Sequence, residues 1–317
     1  MLSGISIVCF AASYAVALVL ELSRLLFRSG IRGAVMIAFA VAGLFAHTMY
    51  LSYRTLEFYQ GAGTGGSPLS SKQEWYFIAA WLLVVVYLYL TYYHPKVPYG
   101  LFLLPLVLGL IAVGTFLADP RPFPREPASK LWGLVHGVAI LLATVAVLVA
   151  FVAGLMYLGQ DRRLKSKAPP PSGLCLPSLE RLQQIASRAL VIALLMTGLG
   201  IVAGIVLNLI NWDRSVSFLP WTDPVVVSTL SMFGWLLVTS GIGVVYRPAR
   251  EGRKVAYLTL VSFVFLVIAL SSVLWHGTQH GGVRTQGATS SAGRWEGAAR
   301  GGPAAPGRAT SARGGGA

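Results

Sequence analysis

Residues 131–158 run without a single formally charged side chain. A helix of about 20 residues, rising about 1.5 Å per residue, crosses a hydrocarbon core of roughly 30 Å, so this stretch is long enough to span a bilayer. It ends on Arg162, Arg163, Lys165 and Lys167, a basic cluster of the kind retained on the cytoplasmic side. Near its other end sits His136, a titratable ring inside an apolar segment. One segment therefore supplies a span, a direction and a candidate site.

The rest of the chain follows the same pattern. It is 55% hydrophobic and only 11% charged, against about 25% charged in an ordinary soluble domain. These proportions specify an all-α polytopic integral membrane protein. Its formal charge of +14 comes from Arg and Lys in short loops and in the C-terminal tail. Basic residues so placed set topology and face lipid, so a nucleic-acid partner is excluded. Cys9 lies in an apolar run and Cys175 in a loop. Without a Cys-x-x-Cys the chain is neither a c-type cytochrome nor a thioredoxin-like reductant. The first apolar run has no basic leader and is too long for a typical cleaved signal, so it reads as the first span.

Eight spans are expected, over 2–27, 33–53, 75–93, 97–117, 131–158, 189–210, 225–246 and 255–275, forming a transmembrane domain over 1–277. Glu21 and Arg24, one helical turn apart, read as a local ion pair. The loop over 159–187 holds the basic cluster, three prolines and a segment in which Leu179, Leu182 and Ile185 share a helical face. That segment reads as a short interfacial helix leading into the sixth span. Ser178 and Arg181 do not make a capping box. Gly200 and Gly204 form a GxxxG suited to close helix packing. From 278 to 317 the chain is rich in Gly, Ser, Ala and Arg and reads as a disordered tail.

Basic residues concentrate on the loops after the first, third, fifth and seventh spans. Those loops are expected in the cytoplasm, with both termini outside. Depth then follows from the rise per residue. His47 lies about 10 Å below the outer end of its span and His136 about 9 Å below the outer end of its own. His276 emerges at the outer surface with His280 beyond it, and only His94 falls on the cytoplasmic side. Intramembrane polar residues tend to be functional, and neutral imidazole is a good axial ligand to haem iron. The plainer alternative is that His47 hydrogen-bonds a neighbouring helix and His276 is an interface residue. A tetrahedral zinc site is less attractive, because no Asp, Glu or Cys lies at that depth. Trp75, Trp132, Trp212, Phe218, Trp221 and Trp275 gather on the same side, either as an ordinary aromatic belt or as a flat platform for a macrocycle.

Three stretches carry a resemblance. They are the helix of His136 ending YLGQDRRLKSK; the segment LPSLERLQQIASRALVIALLMTGLGIVAGIVLN; and the run from PWTDPVVVSTLSMFGWLL through YRPAREGRKVAYLTLVSFVFLVIAL to WHG. Their order resembles the cytochrome c assembly membrane proteins of the CcsA, ResC and HemX type, over about residues 46–277. His47 in AHTMYL is similar to the second-span histidine of the HemX-like branch. The resemblance implies haem handling. His136 and His276 match the family's histidine positions, with His47 a third candidate ligand to the iron of haem b. Trp212, Trp221, Asp223 and Pro224 match what remains of a tryptophan-rich outer loop. The family pattern resembles WGxxWxWDPKE; here the tryptophans are thinned and Val225 and Val226 replace the charged pair after Asp-Pro.

The resemblance therefore implies an inner-membrane protein of cytochrome c biogenesis that binds or delivers haem on the outer face. It would not be an enzyme on its own, though it could be a subunit of a haem-attachment system. Its partners would be haem, a second assembly membrane subunit, apocytochrome c and the lipid bilayer. A HemX-like accessory or regulatory protein without haem presentation is the alternative. A small-solute transporter is a third reading, and it would call for inverted repeats and broken helices, of which the sequence gives no sign.

Overall fold

The computed structural model describes residues 7–24, 30–59, 71–95, 97–120, 130–166, 176–213, 219–245 and 253–274. These all belong to the compact unit Met1–Gly282. The tail expected over 278–317 lies outside the described residues, as do Trp275, His276 and His280. Among the described residues there are eight helices and no strand: α1 (Ile7–Ser23), α2 (Gly30–Tyr59), α3 (Lys72–Tyr93), α4 (Gly100–Phe116), α5 (Lys130–Ser166), α6 (Leu179–Asp213), α7 (Pro224–Val245) and α8 (Arg253–Leu274). Six are long and apolar enough to cross a membrane. The other two, α1 and α4, have 17 residues each, at the lower limit of about 17 for a span. The fold is that of a polytopic all-α membrane protein.

The helices alternate in direction, and side chains at their termini tie them into two ends. At one end, Arg54 of α2 meets Glu74 of α3 at 3.4 Å. Lys72 of α3 donates to the carbonyl of Val273 in the last turn of α8 at 2.8 Å, and Gln73 donates to that of Gly114 in α4 at 3.0 Å. At the other end, Arg24 donates to the Pro95 carbonyl after α3 at 2.9 Å. There Arg253 of α8 also pairs with Asp161 of α5, which lies 3.7 Å from Lys165. We call these the histidine end and the basic end. The expected Glu21–Arg24 pair forms at 3.7 Å, with the Glu21 side chain 1% exposed rather than lying at a surface.

α5 is the central helix. Of its most apolar stretch 67% is buried, against 44% for α3 and 28% or less for the other four long helices. It packs on α3, α4, α6 and α8. Small residues permit the approach, since without a hydrophobic driving force in lipid helices associate through close packing. A Cβ on Gly154 would lie 2.0 Å from Thr259 Oγ1 on α8. One on Gly200 would lie 2.6 Å from Ile140 Cδ1 on α5, and one on Gly204 would lie 3.0 Å from His136 Nδ1. The GxxxG is thus the surface of α6 on which α5 rests.

Two local features differ from the expectations. α5 continues to Ser166, through Arg162, Arg163 and Lys165. The segment after the three prolines is not a separate interfacial helix; it is the first turns of α6, which has 35 residues without a break. The apolar face of Leu179, Leu182 and Ile185 continues in register into the span, so nothing in the backbone ends the helix between them. Ser178 also caps α6: its Oγ accepts from the Arg181 amide at 3.4 Å. The reciprocal Glu or Gln is absent, so only the serine half of a capping box is made.

Candidate functional site

The histidine end holds a cavity of about 180 Å³ among α5, α6, α7 and α8. Its walls are almost wholly apolar, and include Ile140, Ile201, Leu219, Val225, Met232 and Leu266. The hydroxyls of Thr144 and Thr197, also in the wall, are turned to their own helices. Thr144 donates to the Ile140 carbonyl at 2.9 Å and Thr197 to that of Ala193 at 2.7 Å. The other polar side chains in the wall are His136, Asn208, Thr229 and the indole of Trp221.

His136 is half-buried. Its Nδ1 lies 2.7 Å from the carbonyl oxygen of Gly200. A carbonyl accepts and cannot donate, so Nδ1 carries the hydrogen and, in the neutral ring, Nε2 carries the lone pair. A backbone carbonyl on one ring nitrogen is the arrangement that orients metal-ligating histidines. The same glycine that lets α5 approach α6 supplies that acceptor, and Gly204 leaves the space the ring occupies.

Asn208 holds the loop over the cavity. Its Nδ2 donates to the Leu219 carbonyl at 3.2 Å and its Oδ1 accepts from the Leu219 amide at 3.0 Å. This two-point clamp anchors the segment leading to Trp221, which lines the cavity while remaining 55% exposed. Asn208 is absent from the sequence-based expectations. Its signal is a lone amide in the apolar run of α6, where a polar group needs an internal partner.

Asp223 is 4% exposed and acts on the backbone. Its Oδ1 accepts from the Val225 amide at 2.9 Å, and its own carbonyl accepts from the Val227 amide at 3.0 Å. With Pro224 at the first helical position this is an N-cap followed by a proline, the preferred start of a helix. The Asp-Pro pair thus sets where α7 begins beneath Trp221. Trp212, 63% exposed at the end of α6, is not part of the cavity wall.

His47 is placed elsewhere. It is fully buried in a cage of aromatic rings from α1, α2 and α3. Its ring stacks on Phe10 at 4.1 Å between centroids with an interplanar angle of 0°, and Phe77 meets it edge-on at 6.3 Å. Tyr14 Oη and His47 Nδ1 share a hydrogen bond at 3.3 Å, while Nε2 is buried without a hydrogen-bond partner. The structure therefore brings His136 and Trp221 together in one cavity, puts Asp223 in the helix cap beside it, and leaves Trp212 and His47 apart from it. His276 lies outside the described residues.

Among the described residues no group of three or more His, Cys, Asp or Glu side chains is arranged to hold a bare metal ion. The donor chemistry of the cavity does suit an axial ligand to haem iron, because a neutral imidazole with an oriented tautomer is what such iron takes. Size sets a limit. A cavity of roughly 150 Å³ holds a benzene ring, so one of about 180 Å³ has room for an edge of a porphyrin and not for the whole macrocycle.

No solved structure matches the chain. An uncharacterized 28.8 kDa protein in the nifR3-like 5' region of Azospirillum brasilense is 32% identical over 181 residues, which cover 53% of this chain and 62% of that relative. The chain thus spans less than two thirds of the length of the relative it matches. The family model for cytochrome c assembly protein matches residues 67–280, a range that takes in α3 to α8 and every wall of the cavity. On that match, over more than half of its length, the chain belongs to the cytochrome c assembly protein family.

Proposed function

We propose that the protein handles haem b during cytochrome c biogenesis, with His136 as axial ligand at the histidine end. The observation that carries this reading is the His136 Nδ1 hydrogen bond to the Gly200 carbonyl at 2.7 Å, which orients a neutral imidazole in the wall of an apolar cavity. Trp221 at the rim and the apolar side chains of α6 and α7 would hold the macrocycle edge and keep water from it. When bound, haem is the group to be carried to the Cys-x-x-Cys-His of an apocytochrome c, whose thiols come from the partner. Asn208 and Asp223 hold the loop and the start of α7 in place beneath it. His276 belongs to the same proposal as a second ligand. In this reading the protein lies in the inner membrane with the histidine end and both termini outside, and works beside a second assembly subunit. The concentration of basic residues on the loops of the basic end supports that orientation.

An accessory, HemX-like role without haem presentation draws support from the same region. Trp212 stands outside the cavity wall, and Asp223 is engaged as a helix cap. One measurement separates the two. The detergent-purified full chain, with haem added, is expected to show a Soret band that His136→Ala removes. Absence of a band from the unaltered chain after haem loading rejects haem binding and leaves the accessory role.

A further inference from the structure

At the basic end, the last turn of α3 and the first turns of α6 enclose a cleft of about 710 Å³. That volume lies in the range of roughly 300–1,000 Å³ typical of small-molecule sites. Its lining includes Tyr89, Tyr93 and His94 from α3 and its cap, and Glu180, Arg181 and Arg188 from α6. Arg181 Nη2 donates to His94 Nε2 at 2.5 Å, which fixes the guanidinium across the cleft. That bond occupies one of the five N–H donors of the fork. Arg188 stands two turns along on the same helix face. The one carboxylate, Glu180, sits in the first turn of α6, where the helix dipole favours it, and accepts from Gln184 at 3.4 Å. The charge presented to the cleft is therefore net positive. Tyr89 and Tyr93 form its other wall, 60% and 59% exposed with ring centroids 4.7 Å apart.

The α6 face changes character beyond Arg188. Arg181, Gln184 and Arg188 are exposed at helical spacing. The same stripe then continues as Ile192, Leu195, Leu199 and Val202, which are 51%, 61%, 46% and 56% exposed. A cationic pocket flanked by tyrosines opens directly onto an apolar, lipid-facing track. That sequence of surfaces matches a molecule with an anionic head and hydrocarbon tails, and basic pockets between helices near the membrane surface bind such headgroups.

We propose that this cleft binds one anionic phospholipid, its phosphodiester on Arg181 and Arg188 and its acyl chains along the α6 stripe. The inference does not depend on haem: its readout is lipid mass, so its failure and the failure of haem binding are distinguishable. The full chain in mild detergent is titrated with phosphatidylglycerol or phosphatidylcholine and examined by native mass spectrometry. Preferential retention of one phosphatidylglycerol is expected. Arg181→Gln with Arg188→Gln should weaken it roughly tenfold to thirtyfold. The lysine pair, Arg181→Lys with Arg188→Lys, should recover part of the loss, and Arg162→Gln, at the same end but outside the cleft wall, should change nothing. Arg188→Gln alone alters only an exposed side chain and carries the same test at smaller effect if the glutamine pair does not fold. Equal retention of the two lipids, unchanged retention in the glutamine variants, or complete displacement of the lipid by inorganic phosphate would each overturn the proposal.

Discussion

Two histidines pack near the first two turns of α3 and have opposite circumstances. His47 lies against Phe77 in a closed cage of Phe10, Tyr14 and Tyr50, 0% exposed. His136 follows α5 past Trp75, whose ring edge would lie 2.5 Å from a Cβ on Gly137, and it faces a cavity. Trp75 and Phe77 are two residues apart, so their side chains leave α3 on nearly opposite faces. Equal depth in the membrane therefore does not mean a shared site. Depth follows from counting residues along a helix; access follows from which face of which neighbour the residue meets. The cage stacks and seals its imidazole, whereas the other imidazole is oriented by the Gly200 carbonyl in the wall of a cavity.

The sharpest break in that comparison is spectroscopic. In the haem-loaded protein, His136→Ala should eliminate the Soret band and His47→Ala should leave it standing; the opposite result would make the cage the haem site. The next effect is on packing. Gly200→Val puts a branched side chain where Ile140 already lies, and overpacking of this kind costs about 1–3 kcal/mol, to be read as a lowered melting temperature in detergent. Gly200→Val should also reduce haem retention, because it displaces the carbonyl that His136 uses.

In the cage, Tyr14→Phe strips His47 of its one recorded hydrogen bond and should cost about 1–3 kcal/mol, the penalty of a buried polar group left unmatched. Adding His47→Leu to Tyr14→Phe should recover most of that loss, since replacing both partners by apolar groups is nearly neutral. If the double variant is instead much less stable than Tyr14→Phe alone, His47 is engaged by more than its cage. The smallest effects concern the loop over the cavity. Asn208→Ala and Asp223→Ala should each cost about 1 kcal/mol, and both should shift the fluorescence of Trp221, while neither should disturb the His47 cage.

Much of this was legible in the residues. The uncharged stretch that organises the sequence is α5, the helix with the largest buried share. GxxxG on α6 is where α5 comes closest, because only glycine admits Ile140 and His136 at those distances. The family resemblance, carried by His136, the α6 segment and the run through Asp223-Pro224, agrees with the match over residues 67–280. The loop over 159–187 was less legible. Its basic residues and prolines suggest a long break with an interfacial helix, yet α5 runs on through Arg162, Arg163 and Lys165, and α6 runs unbroken from Leu179 behind its Ser178 cap. Charged side chains do not end a helix; they end only its burial in hydrocarbon.

The sequence alone determined the number of apolar helices among the described residues, their alternation and the positions of His47 and His136 along theirs. All three follow from hydrophobic length and the fixed rise of an α-helix. The tertiary structure decided which polar groups meet. It set Asn208 as the clamp on Leu219 and gave His136 the Gly200 carbonyl. Those partners are distant in the chain or depend on the rotation of one helix against another. Rotation is set by the shapes of packed side chains over the whole bundle, and no local stretch of the sequence encodes it. His136 and His47 start as equivalent rings at similar depth, and the packing of α3, α5 and α6 leaves only His136 beside a cavity.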